Sequence, residues 1–231
     1  DSAVKHNVDI VEFMTLMDGK VIQSKYKGIK LTSKILQDYF LNDGIPSMLW
    51  LRLYKRSLFI KPVLPNIYVN NEDAFALPCL LFMAKDIYYL KEQLHYYNTD
   101  NVESVMNVVN SKTSNEEKII ENRVKSLNVV RHIKNFIGIN NINKKYLEEF
   151  NVFTARTVLN FCLIEFKSLS IGSSIKIAYE ETDINLNDLN NSLKNLKHIN
   201  KLILKSINYL GFEKTIFLYR TSKRLFASIK F

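Results

Sequence analysis

Two hydrophobic periods alternate along the chain, with turn residues marking where one gives way to the other. Residues 8–17 (VDIVEFMTLM) and 21–26 (VIQSKY) are rich in β-branched and aromatic side chains and flank Asp18-Gly19. Asp-Gly supplies the two positive φ angles of a type I′ turn, so this stretch is expected to form a β-hairpin. Thr32 or Ser33 then caps a helix reaching about Leu41, with Gly44 as its stop. Pro46 suits the first turn of a short helix through PSMLWLRLYKR. Pro62 and Pro65 favour an extended course over residues 59–70. Leu80, Met83, Ile87, Leu90 and Leu94 recur at three and four, the period of a helix running from about Pro78 to Tyr97.

Beyond a short helical stretch at 101–110, the polar run NSKTSN (110–115) is the best place to divide the chain. A single domain 1–231 is expected, with 1–112 and 113–231 as its candidate subdivision. Residues 116–137 carry acids in the first turn and bases in the last, with Gly138 as a stop, which is the charge order a helix dipole favours. Residues 144–150 and 153–167 continue the helical pattern, and 174–179 reads as a strand. Residues 187–210 form a long amphipathic helix ended by Gly211. After it, 215–219 and 225–231 read as two strands around a Thr-Ser-Lys-Arg turn. The expected fold is α+β and helix-dominated, with an N-terminal β-hairpin, several amphipathic helices, and a long C-terminal helix followed by a hairpin.

Composition narrows this further. Six Gly and four Pro among 231 residues leave few tight reversals, which argues against a turn-rich β-sandwich. A hydrophobic content of 47% excludes a disordered chain. The two cysteines, Cys79 and Cys162, lie far apart in apolar runs and are expected to be free, buried thiols. Their scarcity points to an intracellular setting, cytoplasmic or nuclear. The longest apolar run, 74–84, is bracketed by Asp73 and Lys85 and falls short of the ~20 residues a membrane span needs. Lys, Asn and Ile are abundant, as the codons of a virus or other AT-rich replicon would produce.

Charge changes the picture most. The formal net charge is +9, and residues 189–231 alone carry nine basic residues against one acid, Glu213. Codon bias would spread lysine evenly and does not explain this concentration. At about 100° per residue, Leu189, Leu193, Leu196, Ile203, Ile207 and Leu210 share one helical face. Lys194, Lys197, Lys201 and Lys205 share the opposite one. Arg220, Lys223, Arg224 and Lys230 extend the basic set into the expected hairpin. A basic helix followed by a basic hairpin has the form of a winged-helix unit, with a helix for the groove and a wing for phosphates. Solvation alone also produces lysine faces; the scarcity of acids across the whole segment is what favours a polyanion. DNA or RNA is the expected partner, gripped by lysine point charges with little base reading. The rival is an assembly subunit docking its basic face on an acidic protein. Two smaller patches interleave bases with aromatics: Lys25, Lys27, Lys30 and Lys34 around Tyr26, and Arg52, Lys55 and Arg56 beside Trp50 and Tyr54. Such patches suit single-stranded bases, although Trp50 and Tyr54 also suit a core.

Catalytic signatures do not appear. The chain has no phosphate loop, no GxGxxG, no HExxH, no paired CxxC and no GxSxG, and no cofactor or metal is expected. His6, His95, His132 and His198 lack ligand spacing. Adjacent acidic pairs such as Glu148-Glu149 point about 100° apart on a helix and do not make an acid–base couple. A metal-dependent nuclease assembled from distant acids such as Asp9, Glu12 and Asp86 remains the enzymatic alternative to a non-catalytic binder.

Overall fold

The computed structural model describes residues 2–41, 45–61, 63, 72–98, 116–140, 147–164, 166, 168–184, 186–193, 206–207 and 210–228. It is a helix-dominated α+β protein with one mixed sheet. The chain divides into two compact units, Asp1–Ser114 with Asn135–Ile142, and Asn115–Lys134 with Asn143–Phe231.

The first unit is built on a sheet whose centre is β1 (Ile10–Met17). The expected hairpin forms: β1 turns through Asp18 (φ 49°) and Gly19 (φ 70°) into β2 (Lys20–Ile22), as the Asp-Gly pair requires. β4 (Arg52–Tyr54) pairs antiparallel with the start of β1, along Ile10–Glu12. On its other edge β1 pairs in parallel with β5 (Asp86–Tyr97), and β5 pairs antiparallel with β3 (Gly28–Leu31). The order β2-β1-β5-β3 means that residues 23–27 must cross over β1 and β5 to reach β3. Helix α1 (Ser2–His6) stacks His6 on Tyr88 of β5, ring centroids 4.2 Å apart. Helix α2 (Thr32–Leu41) packs against α3 (Glu72–Met83). Seven consecutive α3 residues, Phe75 through Leu81, are buried, so this helix is apolar all round, as only a core helix is.

Several local expectations change. The helix expected from Pro78 to Tyr97 ends at Met83, and β5 takes over at Asp86. The leucine spacing suits a helix, but Ile87 and Tyr89 alternate into the core as a strand requires. After Pro46 the chain makes a short 3-10 turn at Leu49–Leu51 and then β4, not one helix. Gly44 and most of 59–70, and all of 101–110, lie outside the described residues.

The second unit is helical. Helix α4 (Glu116–Ile139) runs through Gly138 instead of stopping there. Helix α5 (Leu147–Leu163) packs on α6 (Ile171–Thr182), on α7 (Leu186–Leu193) and on α8 (Phe212–Ser228). Residues 174–179, read as a strand, belong to α6. Ser170 caps that helix, accepting from Ser173 N at 3.0 Å, and Asp183 closes it in the left-handed region. The C-terminal hairpin is likewise absent, because α8 is one helix. Its buried positions Phe212, Thr215, Ile216 and Arg220 follow the three-four spacing, and tertiary burial of that face overrides the strand propensity of TIFLY. Gly211 does end the preceding helical residues, at φ 83° with its N–H on Ile207 O. Cys79 and Cys162 are free and buried, as expected.

Candidate functional site

The C-terminal basic set is only partly placed. Lys194, Lys197, Lys201, Lys205 and Lys230 lie outside the described residues. Lys223 and Arg224 lie on α8, where only their backbone is described. Arg220 is a correction. Its side chain is buried, with 4% exposure, and its Nε and Nη2 donate to Cys162 O at 3.0 and 2.7 Å. A second bond from Nη2 reaches Ser174 Oγ at 3.2 Å. Arg220 therefore ties α8 to α5 and α6 and is spent on the core, not on a phosphate. On the apolar side, Leu189 and Ile207 are buried, but Leu210 is 44% exposed, one position before the helix stop.

The smaller patch around Tyr26 gains a geometry. From residue 19 to residue 37 the chain has five lysines and no acid, and Lys20, Lys25, Lys27, Lys30 and Lys34 are all exposed. The crossing segment 23–27 roofs a cleft of about 180 Å³, lined below by Glu12, Phe13 and Met14 of β1 and Tyr89, Leu90 and Lys91 of β5. The cleft sits where the β1–β5 register slips between Glu12 and Met14; such irregularities re-aim side chains and open a sheet. Three lysines, Lys25, Lys27 and Lys91, line it. Tyr26 leans on Tyr89, ring centroids 5.3 Å apart, with Lys25 Nζ 5.2 Å above its own ring. The Tyr26 hydroxyl donates to Asp38 of α2, which Lys34 pairs at 3.3 Å.

Behind the cleft lies a buried ion pair. Glu12 and Arg52 face each other across β1 and β4, with Arg52 Nη2 2.7 Å from Glu12 Oε2 and side-chain exposures of 1% and 3% for Arg52 and Glu12. Arg52 also donates to Met48 O and Pro46 O, each at 2.9 Å, so its fork is well used. Burial pushes the Glu12 carboxyl above its ordinary value, and the guanidinium opposes that shift. Burial acts against the charge of Arg52, but Glu12, Tyr54 and Tyr89 outweigh it and hold the guanidinium charged. Burial likewise raises the Tyr54 phenol to about 12. It raises the Tyr89 phenol too, with Glu12 adding to the shift and Arg52 and Ser24 opposing it.

The distant acids do not form one site, although Asp9 N donates to Asp86 Oδ1 at 3.4 Å. Asp9 is held by Lys55 at 3.1 Å and by Lys85 N at 2.9 Å, while Glu12 is taken by Arg52. Three residues apart along an extended chain, the two acids point to opposite faces. No group of three or more His, Cys, Asp or Glu could hold a metal among the described residues. Trp50 is an aromatic-cluster member, stacked on Tyr97 at 4.8 Å and tilted on His95 at 5.1 Å. No described helix is long and apolar enough to cross a membrane. No protein-family model matches the chain, and neither the curated proteins nor the solved structures give a significant match.

Proposed function

We propose that this is a non-catalytic nucleic-acid-binding protein whose contacts are chiefly lysine to phosphate. The observation that carries the reading is the distribution of charge. Residues 189–231 bear nine bases and one acid, and residues 19–37 bear five lysines and no acid. The second set is exposed, and two of its members, Lys25 and Lys27, line a cleft. Two acid-poor lysine clusters attract a polyanion over several ångströms and release its counterions on contact. Arg220 is omitted from the contact set, because it is buried; Lys194, Lys197, Lys201, Lys205, Lys223, Arg224 and Lys230 remain in it.

The test is a salt titration of binding to single-stranded and double-stranded oligonucleotides. Affinity falls steeply with salt, and exchanging Lys194, Lys197, Lys201 and Lys205 for Gln reduces the log–log slope by up to about 0.7–0.9 per lost phosphate contact. Failure of the wild-type protein to bind at low salt, or identical slopes for the two proteins, rejects the reading.

A further inference from the structure

We propose that the lysine-rimmed cleft is a nucleotide subsite, taking one unstacked base that bears an exocyclic amine while Lys25, Lys27 and Lys91 hold its phosphate. This rests on the nucleic-acid reading for the class of ligand, and adds to it a defined pocket and a base preference.

The cleft's chemistry is uneven in a way that a solvated surface does not explain. Its rim is cationic, with three exposed lysines. Its floor is not. Glu12 presents a carboxylate whose Oε2 is taken by Arg52 from behind, leaving the other oxygen as an acceptor. Beside it, directly across the β1–β5 pairing, stands Tyr89. Its side chain is buried, with 6% exposure, and its hydroxyl lies beside Ser24, which is its only side-chain neighbour for a hydrogen bond among the described residues and does not meet full hydrogen-bond geometry. A buried hydroxyl left in that state is costly unless something fills the place of a partner.

A ligand for this cleft must therefore be anionic at its outer end and carry a donor at its inner end. A plain phosphate satisfies the rim and repels the floor. A nucleotide with an amino-bearing base satisfies both: the amine donates to Glu12, a ring nitrogen or carbonyl accepts from Tyr89, and the phosphate meets the lysines. The cleft, about 180 Å³, is smaller than the roughly 300–1,000 Å³ of pockets that enclose drug-sized ligands. One ring system enters and the sugar-phosphate stays at the rim. Tyr26 is among the residues lining the cleft, and aromatic rings are the usual partners of an unstacked base. Uracil and thymine, which lack an exocyclic amine, leave Glu12 without a strong donor.

The test compares oligo(A), oligo(C) and oligo(U) of equal length, and AMP, CMP and UMP, on the full chain. Wild type prefers the amino-bearing ligands by about tenfold, the low end of what one good base contact contributes. Glu12→Gln abolishes the preference. Because that variant also disturbs Arg52, Tyr89→Phe provides a second, milder probe; it removes a single oxygen and weakens amino-base binding several-fold without changing the salt slope. Preference among the mononucleotides assigns the cleft to free nucleotides, and preference only among oligomers assigns it to a strand. Salt-dependent binding of all three oligomers with equal affinity, and no effect of Tyr89→Phe, overturns the subsite and leaves the nucleic-acid reading standing. No binding of any oligomer or mononucleotide overturns both.

Discussion

Replacing Arg52 with Met tests whether the Glu12–Arg52 pair organises the first unit. The guanidinium is 1% exposed, pairs Glu12 at 2.7 Å and satisfies two backbone carbonyls. Met keeps much of its length and apolar stem but leaves a carboxylate buried without its counter-charge. Breaking a buried pair from one side costs about 3–5 kcal/mol. The loss is bounded because Glu12 can take a proton, at about 1.4 kcal/mol for each unit by which the working pH exceeds its folded pKa. Burial already raises that carboxyl, and loss of Arg52 raises it further. A carboxyl with a raised folded pKa binds protons more tightly in the folded state. Its contribution is therefore full below the unfolded pKa and is lost as pH rises through the folded one. The deficit of Arg52→Met should be largest at neutral pH and shrink towards pH 4–5. Adding Glu12→Leu removes the stranded charge and recovers most of the loss, giving a coupling energy of about 2–3 kcal/mol. Urea unfolding followed by fluorescence of Trp50, the single tryptophan, reports on this unit directly. A deficit below about 1 kcal/mol, or one that does not vary with pH, refutes the reasoning.

Three further outcomes follow from the structure. Arg220→Lys destabilises the second unit by about 2 kcal/mol, because an ammonium cannot reproduce the fork onto Cys162 O and Ser174 Oγ; calorimetry of the variant checks this. Both thiols, pushed up to about 12 by burial, resist a thiol reagent in the folded protein and react fully in denaturant, a difference read by absorbance. Burial raises the Asp9 carboxyl, but its bonds to Lys85 and Lys55 outweigh that and leave it below its ordinary 3.8. Its stabilising effect is present above that value and is lost as pH falls through the folded pKa, so Asp9→Asn has a flatter acid limb in stability against pH.

The sequence was legible where local chemistry decides the backbone. Asp18-Gly19 requires positive φ at both positions and forms the hairpin turn; Gly211 ends its helix for the same reason. It misled where two periods coexist. The run from Phe75 to Leu81 is apolar on every side, so it fixes no helical phase, and the leucines beyond it extend the helical spacing into what becomes β5. TIFLYRTSKRLF carries strand formers, and only the burial of Phe212, Thr215, Ile216 and Arg220 together reveals the face that makes it a helix. The cleft was half legible. Lysines around Tyr26 were visible in the sequence, but Glu12, Arg52 and Tyr89 meet only through the pairing of β1 with β4 and β5. The signal available beforehand was a lone acid inside the apolar run IVEFM, whose residues Ile10 to Phe13 are all buried.

Lysine footprinting separates the two basic clusters from the other exposed amines. Brief acylation of the amines, with and without a single-stranded oligonucleotide at low salt, is quantified residue by residue by mass spectrometry. Protection is expected at Lys25, Lys27 and Lys91 and at Lys194, Lys197, Lys201 and Lys205. The exposed Lys5, Lys118 and Lys176 should react as before, and the protection should vanish at high salt. Uniform reactivity with and without oligonucleotide, or protection spread evenly over every exposed lysine, contradicts the proposed contacts.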